Sequence, residues 1–183
     1  WSSDVCSSDL LGCLGGGVIG TTGSGSQPGE AHEIEHEPAL SVTLLRLPGA
    51  ELHPFQLDAS ELPDLDGPAE PWYQKLGSSV AATRSLLLFV DPGCNAVNDL
   101  ISGLDYAFPE AAKLGGIAGQ HSAVHPSLLF DDQVCGGAVG CTIGGRWSLR
   151  PLVAQGCRPI GPDRKSTRLN SSHEWISRMP SSA

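Results

Sequence analysis

Glycines interrupt nearly every apolar run in this chain. Gly15-Gly16-Gly17, Gly115-Gly116, Gly136-Gly137, Gly144-Gly145 and Gly156 each stand beside a short aliphatic or β-branched stretch, and the longest continuous apolar run is only Leu86 to Val90. Runs of that length suit strands, since a globular helix needs about 10–12 residues of periodic pattern. Glycine beside a strand marks a tight turn, a bulge or a close backbone approach. Short strands joined by turns are therefore the expected material of the fold. No run comes near the ~20 apolar residues that a helical membrane span requires.

The two ends constrain which residues need a structural explanation. Trp1 to Leu10, WSSDVCSSDL, can be encoded by a DNA string whose reverse complement, read one base in, encodes DRKSTRLNS, the letters of Asp163 to Ser171. Two unrelated ends rarely satisfy that relation, and the string resembles a library adapter. Segments of such origin are set aside before fold reasoning. The expectation is that residues 1–10 and 163–183 are adapter-derived and that 11–162 is a truncated domain of about 150 residues, a size that suits one core.

The full chain carries a net charge of −9. Basic and acidic residues balance in the two end segments, so the excess of acids belongs to 11–162. An acidic chain without a basic patch repels phosphate backbones, which argues against a nucleic-acid partner. Within 11–162 the cysteines are Cys13, Cys94, Cys135, Cys141 and Cys157, an odd number with no close pair. That pattern does not read as a disulfide scaffold and points to a reducing, intracellular and cytoplasmic setting.

Along the chain, Leu11 to Leu14 reads as a strand entering the Gly15–Gly17 turn, followed by Val18-Ile19. Thr21 to Gly29 reads as a flexible loop and Glu30 to Glu37 as an acidic one. Ala39 to Leu47 is rich in leucine and β-branched residues, so it reads as a strand with Glu51 to Leu57 as its hairpin partner across Pro48-Gly49. Asp58 to Pro71, with three prolines among acids, reads as an exposed loop anchored by Trp72-Tyr73. Ser85 to Val90 reads as a buried strand stopped by Asp91-Pro92-Gly93. Asn95 is a candidate N-cap for a helix that carries Leu100, Ile101, Leu104 and Phe108 on one face and ends at Pro109. Leu114 to Ala118, Ser127 to Phe130, Val134 to Ile143 and Trp147 to Ala154 read as strands, with turns at Asp131-Asp132 and at Gly144-Gly145. The expected class is α+β: a β-rich, mixed or antiparallel sheet with one or two helices.

Three motifs offer chemistry. His32-Glu33-Ile34-Glu35-His36 matches the zinc-protease pattern, but that chemistry needs both histidines on one helical face. A Gly/Ser/Pro loop precedes the motif and Pro38 follows it, so a solvated loop is the expectation, with no metal or other cofactor. Gly15 to Gly20 fits G-x-G-x-x-G, yet Thr21 to Gly29 cannot supply the helix that would face a pyrophosphate. Cys94, Cys141 or Cys157 beside His121 or His125 could form a nucleophile and base. For each thiol a buried structural role is the simpler reading, and no catalysis is expected. The glycine clusters can serve sheet packing, or their N–H groups can form an anion-binding nest for a carboxylate, which Arg158 could pair bidentately. The candidate ligand-binding residues are Gly15, Gly16, Gly17, Gly115, Gly116, Gly156, Cys157 and Arg158.

In order along the chain, LGCLGGGVIG, EIEHEPALSV, the LPGAEL and PFQL pieces, GGIAG, GGAVGCTIGG and VAQGCRPIGP resemble the FIST N-terminal domain. No single piece is specific, but the ordered set is. FIST stands for F-box and intracellular signal transduction. The resemblance implies a sensory domain that binds a small, amino-acid-like ligand and transmits a signal without catalysing a reaction. It implies a C-terminal FIST domain as partner in the intact protein. In eukaryotes it implies an F-box and ubiquitin-ligase components, so a substrate-receptor module is the alternative role. A cysteine hydrolase is the third.

Overall fold

In the computed structural model, residues 10–22, 29–119 and 125–152 are described. The chain divides into a unit from Trp1 to Pro151 and a second from Leu152 to Ala183, of which only Leu152 is described. The strands are β1 Leu11–Cys13, β2 Gly17–Thr22, β3 Glu30–Glu35, β4 Ala50–Leu57, β5 Thr83–Val90, β6 Ala112–Ile117, β7 Leu128–Phe130, β8 Gln133–Cys135 and β9 Ala138–Gly145. The helices are α1 Glu70–Leu76 and α2 Val97–Ala107, with one 3-10 turn over Ala59–Glu61. The class is α+β, as the glycine-punctuated pattern implied.

Three sheets form. The main one has the order β4-β9-β5-β6, the second β1-β7-β8, and the third is the ribbon β2-β3. In the main sheet β9 is antiparallel to both β4 and β5, while β5 and β6 run parallel with α2 as the crossover between them. Pro54 is tolerated in β4 because β4 is an edge strand. β9 lies between two strands and is buried from Ala138 through Gly144. This is why its sequence is a run of small and apolar residues without polar alternation.

Strand alternation gives the main sheet two faces. Phe55, Leu57, Leu86, Leu88, Val90 and Ala138 pack against Trp72 and Leu76 of α1 and Leu100, Leu104, Ala107 and Phe108 at α2. On the opposite face Val139 joins Ala118, Leu128 and Cys135, with Leu11, Phe89 and Phe130 packed against them. The second sheet closes that side. Tyr73 meets Phe108 edge to face, ring centroids 5.3 Å apart, an arrangement that aromatic quadrupoles favour.

Several elements differ from the sequence expectations. Residues 39–47 form no strand, and β4 pairs with β9 instead of with them. A long-range partner thus replaced the local hairpin. Glu30 to Glu35 is a strand rather than a loop, because Ile34 and its neighbours find Val18 and Ile19 across the ribbon. Val134 to Ile143 is two strands: Gly137, at φ 75°, redirects the chain between β8 and β9. Gly144-Gly145 makes no hairpin with the residues after it, since β9 already has β4 on one edge and β5 on the other. Trp147 to Leu152 carries no strand, and residues 153–154 lie outside the described ones. The helix α1 falls just where an exposed loop was expected to end. Pro71 sits in its first turn, where a missing N–H costs nothing, and Gly77 closes it at φ 64°. The cap of α2 is Ala96 rather than Asn95, without a side-chain bond.

The packing of α1 on α2 rests on one missing side chain. A Cβ at Gly103 would overlap the indole of Trp72, which is fully buried. Gly103→Ala gains about 1 kcal/mol of helix propensity but adds overpacking strain of about 1–3 kcal/mol against a rigid ring. The net expectation is a loss of stability of up to about 2 kcal/mol, readable as a lower urea midpoint with an unchanged slope.

Candidate functional site

The best-organised polar cluster lies where the parallel strands β5 and β6 end. Crevices outside the carboxyl ends of parallel strands are where open α/β sheets commonly take ligands. β5 leads into Asp91-Pro92-Gly93, and Asp91 is only 8% exposed. Its Oδ1 accepts the N–H of Gly93 at 2.8 Å, an Asx-type turn. Its Oδ2 accepts the N–H of Ser127 at 2.7 Å. The backbone of Asp91 donates to the carbonyl of Gly137 at 2.9 Å and accepts from the N–H of Cys94 at 2.9 Å.

The chain of bonds continues into β1. The N–H of Leu14 donates to the carbonyl of Ser127 at 2.8 Å, and the N–H of Gly119 donates to the carbonyl of Leu14 at 2.7 Å. Ala118 in turn donates to Val90 at 2.8 Å, which returns the circuit to β5. Asp91 thus ties the end of β5 to the segment entering β7, and through it to the Leu14-Gly15-Gly16 turn and the end of β6. The turn is pressed tightly against Gly119: a Cβ there would come within 2.9 Å of Gly15 backbone carbon.

The predicted glycines divide by what surrounds them. A Cβ at Gly115 would run into the carbonyl of Leu88. At Gly15 it would meet the carbonyl of Gly17 at 2.9 Å, and at Gly17 the carbonyl of Ile34 at 2.9 Å. These three serve packing. Gly16 and Gly116 have nothing within 4 Å of the same point, and both are exposed. No hydrogen bond joins the N–H of Gly15 or Gly16 to a described residue. The structure therefore brings Gly15 and Gly16 to the strand ends beside Gly119, with Gly115 and Gly116 in β6 just before it. Gly156, Cys157 and Arg158 lie outside the described residues. Asp91, Ser127 and Gly119 were missed by the sequence reading. Asp-Pro-Gly carried a turn signal, but a partner 36 positions away carried none.

Two of the described thiols are shifted away from the reactive thiolate form. Burial, and then the negative charge of Asp91, raise the pKa of the Cys135 thiol. Burial alone raises that of Cys13. Nucleophilic cysteines need the opposite shift. Cys141 is buried in β9, and its thiol donates to the carbonyl of Thr142 at 3.2 Å. His125 is exposed, and no hydrogen bond joins it to Cys94 or Cys141. Cys157 and His121 lie outside the described residues. Among the described residues no disulfide forms, and no three His, Cys, Asp or Glu side chains converge to hold a metal. His32 and Glu33 stand on β3 and His36 follows it at φ 63°. The zinc-protease letters therefore lack the helix their chemistry requires. No described helix is long and apolar enough to cross a membrane.

A concavity of about 390 Å³ opens between the β2-β3 ribbon and residues 40–43, lined by Val18, Ile19, His32, Ile34, Leu40 and Val42 among others. Its volume suits a small ligand. Its walls mix apolar and polar groups and include no buried charged residue, whereas the strand ends hold the buried carboxylate of Asp91.

The model of the FIST N domain matches residues 3–175. The chain belongs to the FIST N domain family. The match reaches past 11–162 at both ends. Similar proteins include an uncharacterized protein of Mycobacterium tuberculosis strain H37Rv and one of Mycobacterium bovis, each 30% identical over 163 residues that cover 83% of this chain. This FIST chain spans 36% of the length of those relatives.

Two outcomes test the cluster. Asp91→Ala strips the amide of buried Ser127 and that of exposed Gly93 of their acceptor, and a buried group left unsatisfied costs about 1–3 kcal/mol. A loss of about 2 kcal/mol is expected by urea unfolding, with Asp91→Asn losing less because its carbonyl still accepts one bond. The raised thiol of Cys135 has a signed consequence. Its contribution is fully present below the unfolded thiol pKa and is lost as pH rises through the folded one. Stability should fall above about pH 8.5, and Cys135→Ala should flatten that decline.

Proposed function

We propose that this FIST domain is the small-ligand-binding, sensory part of a larger signalling protein and catalyses no reaction. The observation that carries the reading is the exposed pair Gly15 and Gly16, whose N–H groups bond to no described residue, beside Gly119 at the carboxyl ends of β5 and β6. Successive backbone N–H groups can together hold an anion. A small carboxylate, such as that of an amino-acid-like metabolite, is the ligand class that fits. Binding there would bias the Leu14 to Gly16 turn, which the Asp91 network couples to both main sheets. A C-terminal FIST domain would read that bias in the intact protein, which we place in the cytoplasm.

Gly16 supplies a clean test. A methyl at that position meets nothing in the fold, so Gly16→Ala should melt like the parent, yet it would intrude on any ligand held at the turn. A screen of carboxylate metabolites by thermal shift should find one that stabilises the parent, by about 2.7 kcal/mol at a hundred times its Kd. Gly16→Ala should weaken that response at least tenfold. If the two respond equally to every stabilising metabolite, the ligand does not sit at this turn.

The exposed apolar segment Leu40 to Leu45 favours a second reading, a protein-interaction module such as a ubiquitin-ligase substrate receptor. Under that reading, ligase components would co-purify with the family-length protein and be lost when the segment is made polar.

A further inference from the structure

The segment Leu40 to Leu45 is an exposed apolar stretch of the described surface that the fold leaves unexplained. Leu40 is 86% exposed, Val42 61%, Leu44 91% and Leu45 75%. Surface aliphatics are ordinary when scattered, but four within six residues form a patch that calls for an occupant. The sequence is strand-prone, yet the segment belongs to no strand and no backbone hydrogen bond reaches residues 38–46 from any described residue. Among the described residues its tie to the rest of the fold is Ser41, whose Oγ donates to the carbonyl of Ile19 in β2 at 3.3 Å. The neighbouring β2-β3 ribbon is itself two-stranded, and such a ribbon is marginal without a further strand or cover.

The residues of the segment say what the occupant is. Leu40-Ser41-Val42-Thr43-Leu44 is a near-palindrome centred on Val42. Laid antiparallel on a second copy about a two-fold axis at Val42, it sets Leu40 against the partner's Leu44, Ser41 against the partner's Thr43 and Val42 against the partner's Val42. Aliphatic meets aliphatic and hydroxyl meets hydroxyl, the pairs that stabilise antiparallel strands. In this register Leu40, Val42 and Leu44 share one face and the two hydroxyl residues the other. The unbonded backbone supplies the donors and acceptors for the ladder. An arbitrary partner strand would not need this symmetry, whereas an isologous contact does, because the same patch must complement itself.

We propose that two copies of this chain dimerise by antiparallel pairing of residues 40–44 about Val42. An isologous contact about a two-fold axis closes at two.

Sedimentation of the full 183-residue chain from micromolar to sub-millimolar concentration tests this. The expected result is a reversible shift from 19.1 kDa to twice that mass. Val42→Asp places two carboxylates opposite each other at the axis and should leave a monomer with an unchanged melting temperature, since the site lies outside both cores. Register is read separately by oxidation. Val42→Cys should form a disulfide-linked dimer several-fold faster than the parent, as directly opposed Cβ atoms lie about 4.5–5.5 Å apart. Leu45→Cys, which the register separates from its counterpart by about six strand positions or ~20 Å, should not exceed the parent. A chain that stays monomeric throughout, a dimer that survives Val42→Asp, or equal cross-linking of the two cysteine variants would each overturn the proposal.

Discussion

One buried carboxylate connects the parts of this fold that sequence order keeps apart. Asp91 ends β5, and its two oxygens hold Gly93 in the adjoining turn and Ser127 at the entry to β7. Charge-assisted bonds of this kind are short and roughly twice as strong as neutral ones. Without the Asp91 carboxylate the second sheet would keep its apolar contacts through Leu128, Cys135 and Val139 and the backbone bond from Gly119 to Leu14, but the entry to β7 would lose its side-chain tie to the end of β5. The Leu14 to Gly16 turn inherits its place from Ser127 and Gly119. The candidate ligand site is thus a by-product of how the two sheets are tied together, which is how a binding event could be felt in both.

The other organising constraint is β9. Flanked on both edges and buried on both faces, it admits no polar alternation and little bulk. A Cβ at Gly140 would collide with the carbonyl of Leu87, and one at Gly144 with that of Ala82. The glycines that make this stretch look like loop sequence are the ones that let neighbouring backbone approach a central strand. The same residue type does opposite work at Gly16, where the space beside it is open.

What could be read from the sequence was local. The apolar run at Leu86, the helical spacing of Leu100 and Leu104, and the ordered glycine motifs led to β5, α2 and the family, because each depends on neighbours a few residues away. The readings that failed needed a distant partner. Residues 39–47 have strand composition, and only the choice of β4 to pair with β9 leaves them outside the sheet. Glu30 to Glu35 has loop composition, and only the ribbon partner β2 makes it a strand. At the site, the Gly15 to Gly17 cluster was visible as a pattern, while Asp91 looked like an ordinary turn residue. Its partner, Ser127, is identified by geometry alone.

The central claim is that Asp91 couples the strand ends, the entry to β7 and the glycine turn into one unit. Residue-resolved amide hydrogen exchange on the parent and on Asp91→Asn tests it most directly. The account predicts that the variant loses protection together at Ser127, Leu14 and Gly119, while amides in β4 and the centre of β9 keep theirs. If only Gly93 and Ser127 exchange faster and Leu14 and Gly119 are unchanged, the turn is held by something other than Asp91, and the account of the site is wrong.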